Sequence, residues 1–223
     1  ITPFNFTSIG GNLPAAPAIM GNVSIWKPAR SSIFSNYFVA RIFEEAGLPP
    51  GVINFITGSS VQISEMLLAD RRLAGIHFTG STEVFQSLWR TVGDNIADYH
   101  SYPRVVGETG GKDFILAHPS ADPEALVTAL VRGAFEYQGQ KCSAASRAYI
   151  PESLWEEIRD PLVETTEGLV MGDPADFSTF VGAVIDQPAF DKITGYIERA
   201  REAEDAEVIA GGEWDDATGW FIR

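Results

Sequence analysis

Short apolar runs alternate along this chain with longer segments in which apolar residues recur every three or four positions. The runs predict β-strands, and the spaced segments predict helices with one buried face. Glycine or proline follows most of these segments, as Gly47 follows the helix predicted over residues 32–45. Strands that alternate with helices of this length are typical of βαβ units, so we predict an α/β protein with parallel, doubly wound sheet.

The predicted elements form two groups. A boundary between two sheets is predicted near Gly110-Gly111, which divides the chain into residues 1–110 and 111–223. A helix is expected to begin at Ser81, and its apolar residues share one face. The strands are predicted at residues 23–26, 52–57, 75–78, 104–107, 114–117, 147–150, 180–185, 208–210 and 220–223, and the other helices at residues 32–45, 60–69, 123–137, 152–167 and 188–202.

Charge limits the class of partner. The formal net charge is −14, which excludes nucleic acid because a phosphate backbone is bound mainly by Lys and Arg. Residues 151–223 hold 18 acidic and 5 basic side chains, against 12 and 11 in residues 1–150. We interpret this acidic block as solvated helix faces rather than as a partner site. No apolar stretch is as long as a membrane span.

The chain holds a single cysteine and three histidines. One cysteine forms no intrachain disulfide, and the scattered His77, His100 and His118 make no zinc set with it. Because the N-terminus has no signal-peptide layout, the protein is predicted to be soluble and intracellular. The chain starts at Ile1 without an initiator methionine and stops at Arg223 within a predicted strand, so we interpret it as a fragment.

Cys142 is the first candidate for chemistry. It lies in the polar segment 139–144, between a predicted helix and a predicted strand, which is a poor place to bury a structural thiol. The neighbouring Lys141 and nearby backbone N–H groups favour the thiolate, which is the nucleophilic form. The alternative is a small, partly buried hydrophobic residue without a catalytic role.

Glu108 is the second candidate, at the end of the strand predicted over residues 104–107. The glycines at 110 and 111 give the backbone the freedom that suits a base that must reach in and withdraw. A carboxylate in an apolar site can act as a general base near neutral pH. The alternative for Glu108 is a surface carboxylate before a glycine turn.

A strand-turn-helix junction at residues 78–83 is a third candidate. Free N–H groups and the helix dipole at such a junction cradle a phosphate, although Ser81 is equally an ordinary helix cap. The G-x-G-x-x-G fingerprint, the P-loop and the G-x-S-x-G elbow are absent. Asn5, between Phe4 and Phe6, is either a turn residue or an amide donor that stabilises an oxyanion.

Together these motifs resemble the aldehyde dehydrogenase superfamily over essentially the whole chain. The separation of 34 residues between Glu108 and Cys142 is also similar to that of the superfamily. The resemblance is greatest to the members that oxidise L-glutamate γ-semialdehyde, formed from 1-pyrroline-5-carboxylate, in proline degradation. The matching segments are Thr2-Pro3-Phe4-Asn5-Phe6-Thr7, Trp26-Lys27-Pro28, Phe78-Thr79-Gly80-Ser81, Glu108-Thr109-Gly110-Gly111-Lys112 and Phe135-Glu136-Tyr137-Gln138-Gly139-Gln140-Lys141-Cys142-Ser143-Ala144.

The resemblance implies a fold and a set of residue roles. Residues 1–110 would be part of a Rossmann-like coenzyme domain with a parallel sheet, and residues 111–223 part of the α/β catalytic domain of the aldehyde dehydrogenase fold, both incomplete. Cys142 would be the nucleophile, Glu108 the general base, and Asn5 an oxyanion donor together with the backbone N–H of Cys142. Phe6 and Ser143 would bind the substrate. The coenzyme would be bound by Thr2, Phe4, Lys27, Thr79, Gly80, Ser81, Thr82, Glu83 and Val84.

The implied coenzyme is NAD, and NADP is left open. Arg30 stands three residues after Lys27, where many NAD-preferring members have a carboxylate, and an arginine can pair with a 2′-phosphate. The implied partners are a small-molecule aldehyde and, at full length, further copies of the chain in a homo-oligomer, with no nucleic acid, membrane or metal. The expected location is the cytoplasm, or the mitochondrial matrix in a eukaryote.

Two alternatives to this function are kept. One is a dehydrogenase for another aldehyde, such as succinate semialdehyde, against which Ser143 and residues 135–137 argue. The other is a folded fragment without catalysis. The superfamily's second ribose-binding glutamate, its substrate-anchoring loop and its oligomerisation strands are expected beyond Arg223, and the opening of the coenzyme domain is expected before Ile1.

Overall fold

The chain divides into two units, Ile1–Gly110 (unit 1) and Gly111–Arg223 (unit 2), in a computed structural model that describes residues 1–223. The assignment of these units to a coenzyme domain and a catalytic domain stays a prediction. No helix is both long enough and apolar enough to cross a bilayer.

Unit 1 alternates strands with helices, as the apolar pattern predicts. The helices are α1 (Thr7–Ile19), α2 (Ile33–Glu45), α3 (Ser60–Leu68) and α4 (Thr82–Asp94), and the strands are β1 (Ser24–Trp26), β2 (Ile53–Phe55), β3 (Gly75–Thr79) and β4 (Arg104–Glu108). A short 3₁₀ turn at Arg30–Ser32 precedes α2.

The strands of unit 1 form two parallel pairs that the N-terminal residues join. β1 pairs with β2, and β3 pairs with β4, both in parallel. Thr2 forms a parallel bridge with Pro28, just beyond β1. On the other side, the Ile1 nitrogen donates to the His77 carbonyl at 2.8 Å, and the Thr79 N–H donates to the Ile1 carbonyl at 3.1 Å. Ile1 and Thr2 therefore occupy the middle of one parallel array.

Helix α1 is tied to this array through its two prolines. Proline has no N–H, so Pro17 leaves the carbonyl of Leu13 without its helical donor. The His77 ring Nδ1 lies 3.2 Å from that carbonyl, and the Ser24 hydroxyl donates to the Pro14 carbonyl at 2.9 Å. The side chains of His77 in β3 and Ser24 in β1 thus bind two consecutive carbonyls of α1, at Leu13 and Pro14.

Apolar side chains bury the faces of these elements. Trp26 is 1% exposed, and Phe55 meets its ring edge-on with centroids 5.1 Å apart. A second cluster lies between α3, β3 and α4, and it comprises Leu68, Phe78, Leu88, Val92 and Tyr99.

Unit 2 is built around the contact between two helices. Asp122 caps the first of them by accepting from the Ala125 N–H at 2.8 Å, and Pro123 occupies its first turn. The elements are β5 (Asp113–Leu116), α5 (Pro123–Phe135), β6 (Ala145–Tyr149), α6 (Glu152–Glu167), α7 (Gln187–Glu202), β7 (Trp214–Asp215) and β8 (Phe221–Ile222). β5 and β6 are parallel, whereas β7 and β8 are antiparallel. The core cluster comprises Ala117, Leu126, Val127, Leu130, Val131, Leu154 and Ile158.

The α/β class with parallel strands is confirmed, and four segments differ from the prediction, one of which is the short strand β7, which was not predicted. Helix α1 is not in the predicted set, because its glycines and prolines hide the helical pattern. Residues 208–210 form no strand, and residues 180–185 form only an isolated bridge, between Val181 and Met171. Those apolar residues pack without a continuous strand partner, so an apolar run alone predicts them wrongly.

Candidate active site

The predicted active-site residues of unit 1 lie at one edge of its parallel array. Strands that run in the same direction end at the same edge, where α/β proteins bind their ligands. Lys27 follows β1, Thr79 ends β3, and Glu108 ends β4. Thr79 and Glu108 are direct register partners, and the Gly80 N–H donates to the Glu108 carbonyl at 3.1 Å. The structure therefore brings the candidate base and the phosphate turn together.

The turn after β3 leads into a capped helix. Ser81 is the N-cap of α4, and its hydroxyl accepts from the Val84 N–H at 3.3 Å. The N–H groups of Thr82 and Glu83 have no acceptor within the helix, so they can receive an anion. The Glu83 carboxylate would repel a phosphate, so a contact here would come from the main chain.

Lys27 and Arg30 lie in the segment that connects β1 to α2. Burial lowers the pKa of the Lys27 ammonium, because desolvation disfavours its charged form. Arg30 borders a cavity of about 560 Å³, which lies at the carboxyl ends of β1 and β2. Its lining residues are Arg30, Ser31, Ile33, Phe34, Tyr37, Phe55 and Thr57. The sequence prediction includes only Arg30 among them, although Thr57-Gly58 after a strand is a signal of a turn at this edge.

The N-terminal segment has both structural and exposed positions. Thr2 is 1% exposed, and its hydroxyl accepts from the Trp26 indole nitrogen at 2.9 Å. The Thr2 side chain is thus part of the core, and its main-chain N–H and carbonyl are bonded to Lys27 and Ala29. The ring of Phe4 is exposed, whereas Asn5 and Phe6 are half-buried directly before α1.

Glu108 is solvent-exposed in unit 1. From the sequence, Glu108 is expected in an apolar site, but the strands of unit 1 do not bury its side chain. Its main chain is nevertheless paired with β3, so the position of its Cα at the sheet edge is fixed.

Cys142 lies in unit 2, on the loop between α5 and β6. Its side chain is partly buried, and its N–H makes no hydrogen bond with the rest of the chain. A 3₁₀ turn at Glu136–Gly139 precedes it, so α5 ends at Phe135, two residues before the predicted end. An unoccupied backbone donor beside a thiol is what an oxyanion hole requires.

The turn before Cys142 is left-handed. Tyr137 has φ 53°, Gln138 has φ 59° and Gly139 has φ 66°. For a residue other than glycine this conformation costs roughly 1–2 kcal/mol. The surrounding structure must hold the turn in place against that cost.

Two glutamines of this turn hold residues 182–185. With its amide oriented to suit the groups it faces, Gln138 accepts from the Gly182 N–H at 2.6 Å and donates to the Tyr137 carbonyl at 3.0 Å. The Gln140 side-chain oxygen accepts from the Ile185 N–H at 3.2 Å. Sequence patterns do not reveal these positions, because both partners are backbone groups.

Ion pairs and a close backbone contact also hold the loop that carries Cys142. Lys141 donates to the Glu136 carboxylate at 2.5 Å, and Arg132 forms a second ion pair with that carboxylate. A Cβ added to Gly111 would lie only 2.7 Å from the Cys142 carbonyl oxygen. Ser143, the predicted substrate-binding residue, is exposed next to the thiol. No group of three or more His, Cys, Asp or Glu side chains is placed to hold a metal ion.

Comparisons with known sequences extend over the whole chain. The profile of the Aldehyde dehydrogenase family matches residues 1–223. The mitochondrial delta-1-pyrroline-5-carboxylate dehydrogenase of Dictyostelium discoideum is 54% identical over 225 residues, which cover 100% of this chain and 40% of that protein. The mitochondrial delta-1-pyrroline-5-carboxylate dehydrogenase of Homo sapiens is 47% identical over 224 residues, with the same two coverages.

Solved structures give the same result. Delta-pyrroline-5-carboxylate dehydrogenase from Mycobacterium tuberculosis bound with NAD is 58% identical, with a TM-score of 0.97 over 100% of this chain and 42% of that one. The NAD-bound 1-pyrroline-5-carboxylate dehydrogenase from Thermus is 31% identical, with a TM-score of 0.88 over 99% of this chain and 43% of that one. The chain thus spans roughly two fifths of the length of these relatives. Because the family profile matches every residue, the chain belongs to the aldehyde dehydrogenase family.

Proposed function

We propose that the full-length protein oxidises L-glutamate γ-semialdehyde to L-glutamate, with NAD as coenzyme, in proline degradation. The observation that carries the proposal is the register of β3 and β4, in which the candidate base Glu108 pairs with Thr79 at the start of the phosphate turn. The names of relatives 47% and 58% identical to this chain support the same reaction.

The residues at the carboxyl edge of unit 1 fit a dinucleotide. Lys27 would bind the adenosine ribose hydroxyls, and the main chain from Gly80 through Val84 would contact the pyrophosphate, with Thr79 near the nicotinamide. The Thr2 main chain and the exposed Phe4 ring would line the groove. When bound, NAD supplies the acceptor for the hydride that leaves the substrate. Arg30, on the cavity wall, keeps NADP open, while the NAD-bound relatives support NAD.

The chemistry proceeds in two halves. The Cys142 thiolate forms a bond to the aldehyde carbon, and the carbonyl electron pair moves onto oxygen. The Cys142 N–H and the Asn5 amide stabilise this oxyanion. When the oxyanion collapses, the aldehyde C–H bond breaks and its electron pair leaves as hydride, so a thioester remains on Cys142. Glu108 then takes a proton from water, whose oxygen attacks the thioester and releases the carboxylate and the thiolate.

The substrate class follows from the neighbour of the nucleophile. Ser143 places an exposed hydroxyl directly after Cys142 and would bind the α-carboxylate of glutamate semialdehyde, while Phe6 would pack on its aliphatic part. Succinate semialdehyde has a carboxylate but no α-amino acid group. Turnover of both aldehydes by the full-length protein separates the two substrates, and a higher kcat/KM for succinate semialdehyde contradicts our assignment.

The assembly and location are also proposals. We infer a homo-oligomer at full length, located in the cytoplasm, or in the mitochondrial matrix of a eukaryotic cell. The names of the Dictyostelium and human relatives, which include the word mitochondrial, support the second location. Light scattering of the full-length protein tests the oligomer.

Substitution of the two central residues tests the mechanism. In the full-length protein, we expect Cys142→Ala to abolish turnover and to keep NAD affinity within about twofold. Glu108→Gln should give one burst of reduced coenzyme and then stop, because the thioester is no longer hydrolysed. Glu45→Gln, at an exposed carboxylate of α2, is the control and should leave turnover unchanged. A Cys142→Ala variant with most of its activity would refute the proposal.

A further inference from the structure

We infer that Glu136 and Lys141 are positioning residues for Cys142, and that their ion pair closes the loop which carries the thiol. The inference rests on the proposed nucleophilic role of Cys142. It assigns a function to two side chains that take no part in the chemical steps.

The ion pair joins the two ends of the left-handed turn. Glu136 precedes Tyr137, and Lys141 follows Gln140, so the bond from the Lys141 ammonium to the Glu136 carboxylate spans the turn at its base. The two side chains are only 18% and 21% exposed, lysine first. An ion pair with this degree of burial is screened less by solvent than a surface pair.

The backbone conformation of the turn is unfavourable, although the Gln140 N–H donates to the Tyr137 carbonyl at 3.0 Å within it. Tyr137 and Gln138 adopt a left-handed conformation that these residue types avoid. A link across the base of the turn opposes its relaxation to right-handed geometry. The Lys141 ammonium also lies 5.1 Å from the centre of the Tyr137 ring, so the same lysine contacts the first left-handed residue.

Glu136 is itself anchored to a helix. Arg132, one turn earlier in α5, forms an ion pair with the other oxygen of its carboxylate. Hydrogen bonding from Lys141, with further help from Arg132, lowers the pKa of Glu136, so the carboxylate stays charged at neutral pH. Lys141, and with it the next residue, Cys142, is therefore tied to α5.

The pair acts through position rather than through charge. The Lys141 ammonium is held in an ion pair with the Glu136 carboxylate, which Arg132 shares, so it is not a lone charge beside the thiol. The Cys142 thiol and N–H must meet the aldehyde within a fraction of an ångström, since a misplacement of about 1 Å can reduce a rate about 100-fold.

The two mechanisms predict opposite results for Glu136→Gln. Loss of the carboxylate leaves the Lys141 ammonium uncompensated and shifts the pH profile of thiol alkylation to lower pH, so if Lys141 acted by its charge, the larger thiolate fraction would keep or raise the single-turnover rate of coenzyme reduction. Under our proposal that rate falls roughly 10- to 100-fold in spite of the larger thiolate fraction, because the loop is no longer held in place.

The experiment uses the full-length protein with Glu136→Gln, Lys141→Met and the double substitution. We expect each single variant to lose single-turnover rate and to keep NAD affinity, and we expect the double variant to be no slower than the slower single variant. Asp160→Asn removes the exposed Arg159–Asp160 pair of unit 2 and serves as the control, with an unchanged rate.

A charge exchange separates positioning from a folding defect. Glu136→Lys combined with Lys141→Glu restores the link and should recover at least part of the lost rate, whereas each of these reversals alone should not. Unchanged rates in the single variants or additive losses would each overturn the inference. Failure of the proposed function is a separate result, because it would appear as activity that survives Cys142→Ala.

Discussion

At Gly111 the main chain approaches the loop of Cys142 so closely that no side chain fits. An alanine Cβ there would lie 2.7 Å from the Cys142 carbonyl oxygen and 2.5 Å from the Asp113 carboxylate. We expect Gly111→Ala in the full-length protein to move the loop and to lower kcat about 100-fold, because catalysis tolerates displacements well below 1 Å. Steady-state kinetics with glutamate semialdehyde measures the loss.

The adjacent residue provides a matched control. A Cβ on Gly110 would meet nothing within 4 Å. Gly110→Ala should therefore keep kcat within about threefold, since the change is confined to backbone freedom. Equal losses in the two variants would contradict an explanation based on contact with Cys142.

Lys27 combines a cost in stability with a proposed role in coenzyme binding. Loss of a hydrogen bond from a charged group costs about 1.5–3 kcal/mol, so we expect Lys27→Met to weaken NAD binding roughly 10- to 100-fold. Isothermal titration measures the dissociation constant. Lys192→Met, at an exposed lysine of α7, should leave NAD affinity unchanged.

The pH dependence of stability follows from the same lysine. Burial lowers the pKa of Lys27 in the folded state, so between that pKa and the ordinary value of about 10.4 the unfolded state binds more protons. The contribution of Lys27 to the free energy of unfolding therefore rises with pH through this window. Thermal unfolding of the coenzyme-free protein should show a steeper rise for wild type than for Lys27→Met, and parallel curves would count against it.

Sequence patterns predict the positions of single residues where local order decides them, and not where a distant contact does. The pattern of residues 104–112 predicts Glu108 at a strand end, and the register of β4 places it there. It does not predict that Thr2 is buried, because the acceptor role of its hydroxyl depends on Trp26, 24 residues away. Nor does it predict the bond from Lys141 to Glu136, which requires the left-handed turn between them.

At the scale of elements, the closest approach of α1 to α2 is at Gly10. Asn36 is 1% exposed, and its side-chain oxygen would lie 2.1 Å from a Cβ on Gly10. We expect Gly10→Ala to lower the free energy of unfolding by about 1–3 kcal/mol, as overpacking of a core does. Chemical denaturation followed by circular dichroism gives the value.

Substitution of Gly11, on the same helix, is expected not to destabilise the protein. Its added Cβ would meet Val39 at an ordinary 3.4 Å. Gly11→Ala should be neutral or should stabilise the helix by up to about 1 kcal/mol. Adding Asn36→Ala to Gly10→Ala should recover stability, and a double variant less stable than either single variant would argue against the clash.

Elements whose apolar pattern is uninterrupted and that have a partner along their length are predicted most accurately. The strand predicted at residues 75–78 is observed at Gly75–Thr79, and the helix predicted at 152–167 is observed at Glu152–Glu167. Helix α1 escapes prediction because Pro14 and Pro17 interrupt its pattern, and the His77 ring takes the place of the donor that Pro17 lacks at the Leu13 carbonyl. The stretch over 180–185 is apolar because it packs, yet its backbone is held by isolated hydrogen bonds to residues 170–172 and 220 and by two glutamine side chains rather than by a continuous strand.

At the scale of the whole molecule, the chain covers 40% of the length of a relative that is 54% identical. We expect the isolated 223-residue chain to show no dehydrogenase activity, because groups that bind coenzyme and substrate in the family are expected outside it. The full-length protein, assayed in parallel with glutamate semialdehyde and NAD, is the control. Turnover by the isolated chain above the level of its Cys142→Ala variant would contradict this expectation.

The central position of Ile1 and Thr2 has a consequence for synthesis on the ribosome. These residues are made before both of their neighbours in the array, residue 28 on one side and residue 78 on the other. Until Thr79 has left the exit tunnel, one backbone edge of this segment has no partner, and unpaired strand edges are the surfaces through which nascent chains aggregate. Translation that stalls between these two positions should therefore yield products that depend on chaperones to stay in solution.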